Sequence, residues 1–155
     1  MILDLPLESR ERLSETMVDT IVLHATVEPT LQGSLDILRE RGFSYHFLID
    51  RNGDIAECVD PIRVAYHAGT SKGPQGEGVN EYSIGISFVN ENDGSTPFEP
   101  AQIAGATRLV TDLRSRFNSL KWLTTHAAIS PGRKNDPVGF PLEEFASAVG
   151  LSVWL

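Results

Sequence analysis

The sequence has 155 residues, a length that suits one domain and buries about 70% of the surface its unfolded chain exposes, so folding needs neither a disulfide nor a structural metal. Its 41% hydrophobic and 22% charged content is that of a globular protein and excludes disorder along the whole chain. A formal net charge of -8 with no basic patch argues against a nucleic-acid partner, and no stretch approaches the ~18 apolar residues of a membrane span.

Met1 to Arg12 mixes apolar and acidic residues and lacks the basic start and apolar run of a secretory signal. A cytoplasmic location is the expectation, with lysis or a dedicated secretion system as other routes out. Asp19 to Ala25 is a β-branched apolar run that reads as a buried strand ending at His24. Leu31, Leu35 and Leu38 then mark an amphipathic helix over Leu31 to Arg41, stopped by Gly42. Phe43 to Asp50 alternates as a strand, Arg51-Asn52-Gly53-Asp54 is a hairpin turn, and Ile55 to Val59 returns. The single cysteine, Cys58, lies in that return; no intramolecular disulfide and no Cys-rich metal knot can form.

Asp60 to Asn80 is crowded with turn-formers and reads as a long surface loop, mobile from about His67 onward. Ser83 to Val89 is a strand with Gly85 inside it. Ala101 to Phe117 is a long amphipathic helix with Ile103, Ala106, Leu109, Val110, Leu113 and Phe117 on one face. Lys121 to Thr125 is a short strand leading into His126, Ala127 to Phe140 reads as loop, and Pro141 to Val149 is a closing helix. Strands and helices alternate without an internal repeat. The expected fold is therefore α/β: one domain over residues 1–155, with a central mixed sheet flanked by helices.

Of the four histidines, His24 and His126 sit at strand ends, where rigid backbone meets an open loop. Ten residues after His126 comes Asp136, in the polar segment Pro131-Gly132-Arg133-Lys134-Asn135-Asp136-Pro137. Two histidines and a carboxylate make a three-ligand set of the kind that leaves a catalytic zinc a fourth position. A packed histidine and a solvated loop are the alternatives that spacing alone leaves open.

Five segments in order carry a resemblance. They are Ile-Val-Leu-His24, Ser-Tyr45-His-Phe-Leu-Ile-Asp-Arg-Asn-Gly, Ala-Tyr-His67-Ala-Gly, Ser83-Ile-Gly-Ile-Ser-Phe, and His126 followed by Pro-Gly-Arg-Lys-Asn-Asp136-Pro. Together, from about residue 19 to 145, they resemble the N-acetylmuramoyl-L-alanine amidases, which include wall-recycling amidases, phage amidase-lysozymes and animal peptidoglycan recognition proteins. The resemblance implies a zinc ion held by His24, His126 and Asp136. It implies catalytic roles for Tyr45 and Lys134; for His67, in its family-like segment, substrate contact and a structural role are both open. The substrate it implies is a peptidoglycan fragment or muropeptide, cut at the amide between N-acetylmuramic acid and L-alanine by a monomer. Recycling members carry a glutamate where this chain has Ser87, so the work of that base falls here to other groups. His46 is read as packing. A non-catalytic peptidoglycan-binding module is the rival reading, and the complete ligand set argues against it. The His-Glu-x-x-His helix of the commonest zinc peptidases does not occur.

Overall fold

The computed structural model describes residues 1–13 and 17–155. Two short strands open the chain, β1 (Ile2–Asp4) and β2 (Ser9–Glu11), followed by β3 (Thr20–Ala25) and helix α1 (Leu31–Arg41). Thr30 caps α1 by accepting from the Gly33 N–H, and Gly42 ends it in the left-handed region at φ 70°. Strands β4 (Phe47–Ile49) and β5 (Ile55–Glu57) form a hairpin, and β6 (Arg63–Ala65), β7 (Lys72–Gly73) and β8 (Gly76–Glu77) follow. A 3-10 turn over Val79–Tyr82 leads into β9 (Ser83–Phe88). Helix α2 (Pro100–Arg116) starts with a reciprocal Glu99–Gln102 capping box and Pro100 in its first turn. The chain ends with β10 (Trp122–Thr125), α3 (His126–Ile129), α4 (Leu142–Val149) and β11 (Ser152–Val153).

Among the described residues seven strands make one mixed sheet in the order β1-β5-β4-β9-β3-β10-β11. All its pairings are parallel except the β4–β5 hairpin. The central strands β3 and β9 are buried along their whole length, which is why they read as near-continuous apolar runs. Register sorts their side chains. Ile21, Leu23, Ile84, Ile86, Phe47 and Leu123 share the face that packs against Leu109, Val110 and Leu113 of α2 and Phe145 and Val149 of α4. Val22 pairs with Gly85 and His24 with Ser87, so these four lie on the opposite face. That second face is covered by α1 through Leu35 and Leu38, by Ala68, by Val79 and Tyr82 of the 3-10 turn, and by Ile129 of α3.

Three expectations need correction, and three short strands were not foreseen. The strand expected over Phe43 to Asp50 is only Phe47–Ile49. Before it, the ring Nδ1 of His46 accepts the Gly85 N–H at 3.0 Å, so a side chain takes the place of a ladder carbonyl. The segment from Asp60 to Asn80 is not bare loop: β6 pairs antiparallel with β2, and β7 with β8. Arg12 pins this segment by donating to the carbonyls of Pro61, Asn80, Glu81 and Ser83, and burial lowers its pKa to about 10. Residues 127–140 begin inside the short helix α3 rather than in loop. Strands β1, β2 and β11 had no strand-like sequence pattern; each is two or three residues long and takes its pairing from a neighbour already in place. No helix among the described residues is long and apolar enough to cross a membrane.

Candidate metal centre

Three elements deliver the candidate ligands. His24 stands near the end of β3, in the middle of the sheet. His126 follows the end of the adjacent parallel strand β10 and begins α3, whose N-terminus is capped by the Thr125 hydroxyl. Asp136 returns in the loop after α3, where its backbone carbonyl accepts the Ala127 N–H at 3.0 Å. Parallel pairing of β3 and β10 therefore brings together two histidines 102 residues apart. All three side chains are buried.

The donor atoms converge. Nδ1 of His24 lies 3.0 Å from Nδ1 of His126, which lies 3.2 Å from Oδ1 of Asp136, and His24 Nδ1 is 3.6 Å from Oδ2. Ligands at about 2.0–2.1 Å from a tetrahedral zinc stand about 3.3 Å apart; the Nδ1–Nδ1 and Nδ1–Oδ1 separations are of that order, and one donor atom from each of the three residues lies within 4.8 Å of the others. Two imidazole nitrogens and one carboxylate oxygen are also a donor set that zinc accepts, with one position left over. Burial lowers the pKa of His24 to about 4 and His126 adds to the effect, which keeps the ring neutral and able to donate a lone pair. Burial alone would raise the Asp136 carboxyl, but the His126 and His24 rings beside it outweigh burial and hold the group well below the usual carboxylate range. Asp136 is thus an anion whose Oδ2 also accepts the Ala25 N–H at 3.1 Å.

A model of the N-acetylmuramoyl-L-alanine amidase family matches residues 14–139. The chain belongs to that family. The N-acetylmuramoyl-L-alanine amidase AmiD of Escherichia coli is 31% identical to it over 153 residues, covering 88% of this chain and 55% of AmiD. The chain therefore spans little more than half the length of that curated relative. The structure of E. coli AmiD in complex with the substrate anhydro-N-acetylmuramic acid-L-Ala-D-gamma-Glu-L-Lys superposes with a TM-score of 0.80 at 29% identity, over 94% of this chain and 63% of that one. A crystal structure of AmpD superposes with a TM-score of 0.81 over 96% and 94% of the two chains at 23% identity, a likeness of fold.

In this amidase-family chain one member of the triad, His126, lines a groove of about 420 Å³. Tyr45, Tyr66, His67, His126, Arg133 and Lys134 line it, with Phe43 at the α1 end. The ring of Tyr45 lies 4.8 Å from that of His24, and burial raises its hydroxyl above the ordinary value, with the Asp136 carboxylate pushing the same way. It therefore stays protonated through the neutral range. Lys134 is exposed, two residues from Asp136, and borders both this groove and a neighbouring hollow that Tyr45, His126 and Asp136 also line. A second hollow of about 460 Å³ adjoins across Gly69 and Arg133 but holds none of the triad. Ser87 faces the same side of the sheet as His24, yet its hydroxyl has no hydrogen-bond partner of normal geometry among the described residues.

His67 sits behind His24 and is 7% exposed. Its Nδ1 is 2.9 Å from His24 Nε2, and its Nε2 is 3.1 Å from the Ser83 hydroxyl. Burial, with His24 next, holds its pKa well below the ordinary histidine value, so the ring is neutral. His46 is buried nearby and bonds backbone groups through both ring nitrogens. Three supporting groups escaped the sequence reading: the Ala68 carbonyl, which accepts from His126 Nε2 at 3.2 Å, the Asn80 side chain, and Arg133. A backbone carbonyl leaves no sequence signal. Gly85 did leave one, because a glycine inside a buried strand marks a close approach.

Proposed function

We propose that this chain is a zinc-dependent N-acetylmuramoyl-L-alanine amidase that hydrolyses the amide between N-acetylmuramic acid and L-alanine in muropeptides. The observation that carries the reading is the buried convergence of His24, His126 and Asp136 at the head of a groove, in a chain of this family. His24, His126 and Asp136 would hold the metal. Bound there, zinc supplies Lewis acidity, polarising an amide carbonyl and making hydroxide available near neutral pH.

The chain's own groups do the rest. Tyr45, kept protonated, donates a hydrogen bond to the substrate carbonyl oxygen as negative charge builds on it. Lys134 brings its cation to the same oxygen and is exposed enough to move with it. Ser87 has no ionisable group near neutral pH and does not replace a carboxylate base. Asp136 adds the one negative charge of the ligand set and would offset half the charge of the ion. AmiD was captured with an anhydromuramyl tripeptide, and a soluble fragment of that kind is the substrate class proposed here.

The test is mass spectrometry of products from defined muropeptides with and without zinc. Release of intact stem peptide beginning at L-alanine, lost on chelation and restored by zinc, is the expected result. Full activity and full zinc content in His126→Ala would sink the assignment.

A further inference from the structure

We propose that the dipeptide His67-Ala68 is a bracket that aims both histidine ligands, with His67 a positioning residue for His24. The inference rests on the metal centre read above. A histidine that gives one nitrogen's lone pair to a metal carries its proton on the other nitrogen, and that N–H needs an acceptor. For His126 the acceptor is the Ala68 carbonyl, 3.2 Å from Nε2. A carbonyl can only accept, so it leaves the lone pair on Nδ1, the atom that faces the triad.

Among the described residues the hydrogen-bond partner on the far side of His24 is neither a carbonyl nor a carboxylate. Its Nε2 meets Nδ1 of His67 at 2.9 Å. An imidazole accepts only through its unprotonated nitrogen, so the proton of His67 sits on Nε2, where the Ser83 oxygen receives it at 3.1 Å. The chain runs from His24 Nε2–H to His67 Nδ1, and from His67 Nε2–H to Ser83 Oγ. Run in reverse, it would place a proton on His24 Nδ1 and remove one donor from the triad.

The bracket is built to be stiff. A Cβ at Gly85 would lie 2.6 Å from Cγ of His67, so the bare strand position is the seat of this ring. Asn80 Oδ1 accepts from the backbone N–H of both His67, at 3.2 Å, and Ala68, at 2.9 Å. Arg133 donates to the Ala68 carbonyl at 2.6 Å and to that of Thr70 at 3.0 Å. An imidazole in place of the usual carboxylate orients the ligand without adding negative charge behind it.

The experiment measures zinc affinity of the full chain by competition with a chromogenic chelator, beside muropeptide kinetics at saturating zinc. Removing an outer partner of a ligand typically costs 10–100-fold in metal affinity, and His67→Leu should weaken zinc binding by about that much. KM at saturating zinc should stay within about twofold. His67→Asn should hold zinc within about threefold of wild type, because Oδ1 of asparagine accepts from about where Nδ1 does. Ser83→Ala should weaken zinc less than His67→Leu does. Wild-type affinity in His67→Leu overturns the proposal, and so does a raised KM with unchanged affinity, which would make His67 a substrate contact. If His67→Leu does not fold, the other two variants decide: weakened zinc in Ser83→Ala beside near-normal His67→Asn supports the bracket, and wild-type zinc binding in Ser83→Ala overturns it. A wild-type chain that binds no zinc overturns the metal reading itself, whereas zinc bound as tightly by His67→Leu as by wild type overturns this inference alone.

Discussion

The hydroxyl of Ser87 is buried beside that of Tyr45 and makes no hydrogen bond of normal geometry among the described residues, so little is lost with it. Ser87→Ala should therefore be no less stable than the parent and keep kcat within about twofold. Lys134→Ala, which removes charge aimed at the developing oxyanion, should lose about 10²–10³ in kcat with zinc content unchanged. Tyr45→Phe should lose less. Steady-state kinetics on one muropeptide, with metal analysis of each variant, checks all three; a Ser87→Ala enzyme as damaged as Lys134→Ala would move the catalytic burden to that strand. His46 makes a different prediction. Its Nε2–H donates to the Arg63 carbonyl at 2.8 Å, so the Arg12 guanidinium 3.4 Å away faces a donor and can only oppose a second proton. Burial first, then Arg12, lowers the pKa from 6.5 to about 3. The unfolded chain then binds a proton that the folded one refuses, so the contribution is intact above pH 6.5 and lost as pH falls towards 3. The slope is at most about 1.4 kcal/mol per pH unit. Urea unfolding between pH 7 and 5 should show a shallower loss in His46→Asn, which keeps an acceptor for Gly85 but cannot titrate.

Helix α2 crosses the β4–β5 turn at two glycines. A Cβ on Gly105 would lie 2.9 Å from the Gly53 carbonyl oxygen, and one on Gly53, at φ 89°, would lie 2.7 Å from that of Ala101. Alanine is the better helix former by about 1 kcal/mol. Here the clash is with backbone, which cannot swing aside, so overpacking of about 1–3 kcal/mol should win. Gly105→Ala is expected to lower Tm, and a rise would show that the helix can slide off the turn. The same pair shows what sequence can and cannot reveal. Gly42 behind a leucine stripe announced the end of α1, because a local conformational need selects glycine. The β-branched runs announced β3 and β9, and with them His24. The shortened β4 was illegible, because the pattern Phe43 to Asp50 alternates well and what interrupts it is a tertiary hydrogen bond from the Gly85 N–H to the His46 ring. The strands between residues 60 and 80 were hidden for a related reason: β6 exists because the N-terminal arm pairs with it. At the site, the ligand types and order were legible, but the carbonyl of Ala68 and the turn of the His67 ring towards His24 belong to the folded chain alone.

The molecule divides its sheet by face: apolar contacts with α2 and α4 on one side, the polar centre and its groove on the other. Stability and chemistry are thus carried by different surfaces of the same strands. A metal that binds only the folded chain adds about 2.7 kcal/mol at a free concentration one hundred times its Kd. For a domain of this size that is a Tm shift of about 5–10 °C. Thermal melts with zinc and after chelation should differ by that order while far-UV circular dichroism stays the same, because the apolar face does not depend on the ion. An unchanged Tm would mean that the triad does not hold zinc in the native chain. The placement of β3 between β9 and β10 reaches further, into time. His24 and His126 become neighbours only after strands about a hundred residues apart have paired, the slow, non-local part of such a topology. An ion that needs both histidines arrives after the barrier to folding has been crossed. Zinc should therefore leave the refolding rate almost untouched and slow unfolding instead, so that the loaded protein outlasts the empty one chiefly by reluctance to open.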